Sequence, residues 1–245
     1  MLKRFRTTGW TRRGIFWGVL ALVLVAGGAS ALGVAITSQY HAPSPSPAAA
    51  GTVGPSRHTT VSTGIPASVP TTTTTAPAQP PAATSGPILS RSLPVSVSIP
   101  AINVQSSLQS LGLNPDGTLA VPQPGPNYDE AAWYDGSPTP GELGPSVIEG
   151  HIDSAANGPS VFFNLGALQP GDEIDVTRAD GTVAVFTVSG VRQYSKDAFP
   201  TSTVYGNTTF AALRLITCGG AFDSATGSYV NNTVVFASLS SSHPT

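Results

Sequence analysis

The chain has 245 residues and a formal net charge of −2, and only 10% of its residues are charged. Charge is unevenly placed: residues 1–90 hold six Lys or Arg and no acid, whereas residues 91–245 hold five basic and all 13 acidic residues, a balance of −8. An acidic globular part repels phosphate, which argues against a nucleic-acid-binding domain, and one cysteine excludes an internal disulfide framework or a Cys-based zinc cluster.

Residues 1–13 form a basic N-terminus, and Gly14–Ile36 follow as 23 residues without charge. As a helix at about 1.5 Å per residue that run covers roughly 34 Å, enough for a hydrocarbon core of about 30 Å. It reads as a transmembrane anchor. The competing reading is a cleaved secretory signal, for which Ala29-Ser30-Ala31 supplies small residues. In either case the five preceding positive charges stay in the cytoplasm and everything after Ile36 goes outside.

Residues 37–88 are rich in Pro, Ser, Thr and Ala, with Arg57 as the sole charge. Such a composition buries too little apolar surface to offset the entropy of ordering, so a disordered linker is expected.

From residue 89 to 241 the texture changes to short apolar or alternating runs separated by Gly, Pro, Asn and Asp. Strands are expected at Ser92–Pro100, Thr118–Val121, Ser146–Gly150, Glu173–Arg178, Thr182–Gln193, Leu213–Cys218 and Asn232–Leu239, with a tight hairpin at Asp180-Gly181. Only Ser160–Leu168 reads as a helical turn. An all-β barrel fits this pattern better than an α/β fold, and residues 242–245 are left as a tail.

Two side chains carry the chemistry. Cys218 closes the run Leu213-Arg214-Leu215-Ile216-Thr217 ahead of Gly219-Gly220, a rim position that suits a nucleophilic thiol; its bland reading is a small buried hydrophobe. Apart from His243 in the tail, His151 is the one imidazole of this part of the chain. It follows Gly150, whose lack of a side chain permits close backbone approach, and precedes Asp153, which either orients the ring or caps the next turn.

The segments Gly150-His151-Ile152-Asp153-Ser154 and Leu215-Ile216-Thr217-Cys218-Gly219-Gly220 resemble the histidine and cysteine motifs of sortases, the membrane-anchored cysteine transpeptidases of Gram-positive bacteria. The resemblance extends from an opening Ser-Ile-Pro-Ala-Ile-Asn-Val to a final Val-Val-Phe-Ala, and its details look most like the actinobacterial class F group, with class E next. It implies an eight-stranded barrel in which Cys218 attacks the carbonyl after threonine in an LPXTG-like sorting signal of a surface protein. His151 would protonate the leaving amine and then activate an amine of the cell envelope.

The resemblance also implies an oxyanion-stabilising arginine just before the last strand, where this chain has Asn231 and Asn232. Strand alternation puts Arg214 on the face of Cys218 and makes it the first substitute, with Arg192 second. Thr217, Asn232 and Trp133 are expected to touch substrate; for Trp133, paired with Tyr134 beside Asp135-Gly136, the competing reading is a core plug. Asp172, Glu173 and Asp175 are acidic neighbours without a calcium-loop spacing, so no cofactor is expected. Two alternatives keep the barrel: a tethered peptidase or acyltransferase, and a non-catalytic envelope-binding domain.

Overall fold

The computed structural model describes residues 40–51 and 84–245. The chain divides into two compact units, Met1–His41 and Ala42–Thr245, and the second holds the whole of the fold described below. The apolar run Gly14–Ile36 and most of the Pro-rich stretch lie outside the described residues. Among the described residues no helix is long and apolar enough to cross a membrane.

Eight strands close into a barrel: β1 (Pro94–Ile99), β2 (Val104–Leu111), β3 (Ala131–Tyr134), β4 (Gly144–Glu149), β7 (Glu173–Arg178), β8 (Thr182–Ser195), β9 (Ala211–Asp223) and β10 (Ser228–Pro244). Their order around the barrel is β1, β2, β3, β4, β9, β10, β8, β7. A separate two-stranded sheet is made by β5 (Asp153–Ser154) and β6 (Gly158–Pro159). One short α-helix, α1 (Thr201–Tyr205), lies between β8 and β9.

Alternation divides the side chains between two apolar clusters. Val97, Ile99, Trp133, Ile148, Phe186, Leu213, Leu215 and Val235 fill the barrel. Val147, Ile216, Val234 and Phe236 point outward from β4, β9 and β10 and are covered by Val204 of α1. The outer cluster matters for function, because Cys218 belongs by alternation to the same face of β9 as Arg214 and Ile216.

Several sequence expectations are corrected. Thr118–Val121 is not a strand; Leu119 makes only an isolated bridge with Leu113. The expected rim at Cys218 is instead mid-strand, since β9 continues to Asp223. Glycines that read as a break serve there to let neighbours approach: a Cβ on Gly219 would stand 2.5 Å from Thr233 Oγ1, and Gly220 has φ +76° opposite a register shift in β10 between Tyr229 and Asn231. β2 and β3 were not expected, because Val-Gln-Ser-Ser-Leu-Gln-Ser-Leu is largely polar and Ala-Ala-Trp-Tyr is short.

The expectation of disorder across residues 37–88 also fails at both ends of that stretch. Pro47–Ala50 forms a 3-10 turn capped by Ser46, whose hydroxyl accepts from Ala49 N at 3.2 Å, and Ala49 is fully buried. The proline-rich sequence packs as a strap: an added Cβ on Gly190 would meet Ala50 O at 2.7 Å, and one on Gly166 would meet Pro43 O at 2.0 Å. At the other end, Ser85 N donates to Thr209 O at 2.8 Å. Prolines suit such a strap because it needs few backbone donors.

Candidate active site

Three neighbouring strands place the site residues in rungs. β4 and β9 run parallel, β9 and β10 antiparallel, and the registers align Val147 with Arg214 and Phe236, then Glu149 with Ile216 and Val234. The next outward rung contains Cys218 and its partner Asn232. On the β4 side the ladder continues one bond past the strand, with Gly150 N donating to Ile216 O at 3.2 Å. Two residues beyond Glu149, His151 leaves the end of β4, and Cys218 lies two residues beyond Ile216, the β9 partner of Glu149.

Gly150 makes this approach possible, for a Cβ there would lie 2.6 Å from Val161 Cγ1 and 2.8 Å from Phe162 Cδ2. Past it, His151 O accepts from Phe162 N at 3.0 Å, which ties the histidine to the segment that follows the β5–β6 hairpin. The imidazole lies face to face with Tyr128, with ring centroids 4.1 Å apart and planes 7° from parallel. Its Nε2 is 2.8 Å from Pro122 O. A carbonyl only accepts, so Nε2 carries a hydrogen, and Nδ1 is the nitrogen on which the proton comes and goes.

Asp153 neither caps a turn nor bonds the imidazole. Its carboxylate accepts from the Tyr229 hydroxyl and its backbone carbonyl from the Tyr128 hydroxyl. Both tyrosines are held protonated: burial, first, pushes them above the ordinary phenol range, followed by the Asp129 and Asp153 charges at Tyr128 and by the hydrogen bond to Asp153 and its charge at Tyr229. Tyr128, stacked on His151, and Tyr229 of β10, three residues before the register partner of Cys218, both bond Asp153.

Cys218 is half-buried and its sulfur lies 3.5 Å from Lys196 Nζ. Lys196 was not expected to take part; the signal available in the sequence was that it is the one lysine beyond residue 3.

Arg214, the expected oxyanion donor, is elsewhere. It is 4% exposed, donates from Nε to Val204 O at 3.2 Å and from Nη1 to Leu213 O at 3.1 Å, and lies over the Phe236 ring. Burial lowers it to about 10. Two rungs separate it from Cys218, about 13 Å of strand, and its guanidinium is committed at its own level. Arg192 is also engaged away from the sulfur, donating to Gly51 O at 3.0 Å.

The expected substrate contacts divide likewise. Asn232 is on the Cys218 rung and half-buried. Thr217 is buried on the inward side with Leu213 and Leu215, and Trp133 is 1% exposed in the barrel interior with Nε1 donating to Pro138 O at 3.3 Å. A ring so enclosed plugs the core and cannot line a groove. Asp172 accepts from Gln169 N at 2.8 Å, and among the described residues no group of three or more His, Cys, Asp or Glu is placed to hold a metal ion.

An outward thiol beside an ammonium, with an imidazole just past the end of the adjoining strand of a closed barrel, defines the class of a cysteine-dependent acyl-transfer enzyme. The sortase domain model matches residues 97–240, more than half the chain, and the protein belongs to the sortase family of cysteine transpeptidases. Solved structures with a similar fold include sortase A from Listeria monocytogenes, at 18% identity and TM-score 0.46 over 64% of this chain and 92% of that one. A sortase from Actinomyces oris is 21% identical with TM-score 0.46 over 67% and 88% of the two chains, and sortase A from Corynebacterium diphtheriae is 20% identical with TM-score 0.45 over 62% of each. No curated protein matches the chain.

Proposed function

We propose that the protein is a membrane-anchored transpeptidase of the class F type, with class E the next nearest, acting outside the cell on surface proteins that carry an LPXTG-like sorting signal. The observation that carries the chemistry is that His151, just past the end of β4, and Cys218, on β9, follow the last pair Glu149–Ile216 at the same end of two adjoining parallel strands. The class is supported by the Gly-His-Ile-Asp and Thr-Cys-Gly-Gly segments, and the anchor by the apolar length of Gly14–Ile36 behind five basic residues.

In this reading the Cys218 thiolate adds to the carbonyl carbon after the threonine, forming a C–S bond as the carbonyl π pair moves onto oxygen. Collapse of the oxyanion breaks the C–N bond, and the departing amine takes a proton from His151 Nδ1. The thioester persists until an envelope amine attacks it. That amine gives its proton to His151, and the C–S bond breaks to restore the thiolate. Cys218, His151 and the incoming amine supply the electron pairs and protons of these steps, so the reading calls for no cofactor.

Full-length protein in detergent micelles, incubated with a set of LPXTG-like peptides and candidate amines, tests the reading by product mass. The expected products are a thioester on Cys218 and a new amide. Cys218→Ala should abolish both and His151→Ala should lose comparable activity; turnover retained in Cys218→Ala would remove the reading. Acid products without amide, at every amine concentration, would make the protein a peptidase instead.

A further inference from the structure

The charge beside the thiol comes from an element outside both sequence motifs. Lys196 opens the 3-10 turn Lys196–Ala198 that follows β8. Its Nζ lies 3.5 Å from Cys218 Sγ on β9 and donates to Ser228 Oγ, the first residue of β10, at 2.8 Å. The ammonium is thus held from both strands of the β9–β10 hairpin while remaining half-exposed.

Nothing of opposite sign neutralises it at close range. Among the described residues the two ion pairs are Arg91 with Glu142 and Arg178 with Asp180. Every other Lys or Arg of residues 84–245 is occupied at a distance from the sulfur: Arg91 and Arg178 in those pairs, Arg192 on Gly51 O, and Arg214 on Val204 O, Leu213 O and the Phe236 ring. The position at which the resemblance implies an arginine holds Asn231, which lies inside β10 and not before it, and its amide donates to Gln193 Oε1 at 3.1 Å.

We propose that Lys196 is the catalytic cation of this site, and that Ser228 is its positioning residue. The inference rests on the transpeptidase reading and adds to it the group that bears the negative charge. As the thiolate adds to the carbonyl carbon, the π pair becomes an oxyanion two bonds from the sulfur. An ammonium in contact with the sulfur reaches that oxygen by rotating its stem, and it keeps its proton throughout. When the pair returns and the C–N bond breaks, the leaving amine takes its proton from His151. A lysine suits this place because its three N–H donors serve Ser228, sulfur and oxyanion together without a fixed planar geometry.

The test compares wild-type, Lys196→Met, Lys196→Arg and Ser228→Ala proteins, full-length in micelles, with thermal melts to confirm folding. Cys218 is alkylated with iodoacetate, which is anionic, and iodoacetamide, which is neutral. A cation on the sulfur favours the anionic reagent, and the preference should fall about tenfold in Lys196→Met, survive in Lys196→Arg and weaken with added salt. With peptide, Lys196→Met should lower kcat by about 100-fold or more with little change in KM, and Lys196→Arg should recover part of it. Ser228→Ala should give a smaller loss of the same kind.

An unchanged reagent preference in Lys196→Met overturns the contact, and a lost preference with unchanged kcat overturns the catalytic role. The two readings fail separately. A wild-type protein that consumes no peptide removes the transpeptidase reading and the oxyanion role with it, whereas the alkylation ratio still decides whether the Lys196 charge sits at the sulfur.

Discussion

Arg214 lies over the ring of Phe236, its guanidinium carbon 4.6 Å from the ring centroid, and the two are register partners on β9 and β10. The contact closes the outer cluster beneath the Cys218–Asn232 rung and assigns the arginine to packing. Burial of its charge is compensated by two backbone carbonyls and an aromatic face.

Arg214→Ala should therefore act on stability first. Losing the packed stem and leaving Val204 O and Leu213 O without their donor should cost about 2–4 kcal/mol. Arg214→Met, which refills most of the volume, should cost less. Urea unfolding checks the energies, and turnover per folded molecule should stay within a few-fold of wild type. A hundredfold fall in kcat at full folding would return Arg214 to the catalytic machinery.

Glu149, on the rung between Arg214 and Cys218, is 7% exposed, and burial raises its carboxyl from 4.5 to about 7. The folded state holds this proton through a range in which the unfolded chain has released it. Stability must then fall as pH rises from about 4.5 to about 7 and stay reduced above, by about 3 kcal/mol at most. Glu149→Gln keeps the shape and removes the titration. Urea midpoints should be similar for the two proteins at pH 4.5 and higher for Glu149→Gln at pH 8; parallel pH curves would show that Glu149 is solvated.

Cys218 and His151 were legible because each is a rare residue at the end of an apolar run, and alternation along Leu213–Cys218 assigned the faces of β9 correctly. The barrel itself followed from the spacing of short strands. Lys196 was not legible, because its approach to the sulfur depends on how β8 ends relative to the β9–β10 hairpin, a relation 22 residues long in sequence that no local pattern encodes. Trp133 misled for the opposite reason: an aromatic pair beside Asp135-Gly136 looks alike in a groove and in a core, and only closure of the barrel decides. The strap at Pro47–Ala50 was hidden because composition reports what a segment can bury alone, whereas Ala49 is buried by the barrel beside it.

That strap gives a further prediction. A methyl group at Gly166 would meet Pro43 O at 2.0 Å, closer than any real contact. Gly166→Ala should consequently lift the strap off the barrel and leave the strands in place. Amide exchange at residues 48–51 should accelerate while β9 and β10 remain protected. Slowed exchange, or global unfolding, would show that the strap is part of the cooperative core.

Tyr128 offers the most direct check on how His151 is held. The ring supplies a parallel face 4.1 Å from the imidazole, whereas its hydroxyl reaches Asp153 O at 3.3 Å, a long bond. The two contributions separate cleanly. Tyr128→Phe keeps the stack and should leave kcat/KM within about twofold of wild type. Tyr128→Ala removes the stack, worth about 0.5–1.5 kcal/mol beyond area burial, and should lower kcat/KM by about 2- to 10-fold as the imidazole samples orientations unsuited to proton transfer. Because the loss comes from His151 being mispositioned, it should fall mainly on kcat, and alkylation of Cys218 by iodoacetamide should change little. If Tyr128→Phe is as damaging as Tyr128→Ala, the hydroxyl and its bond to Asp153 hold the site together, and the stack is incidental.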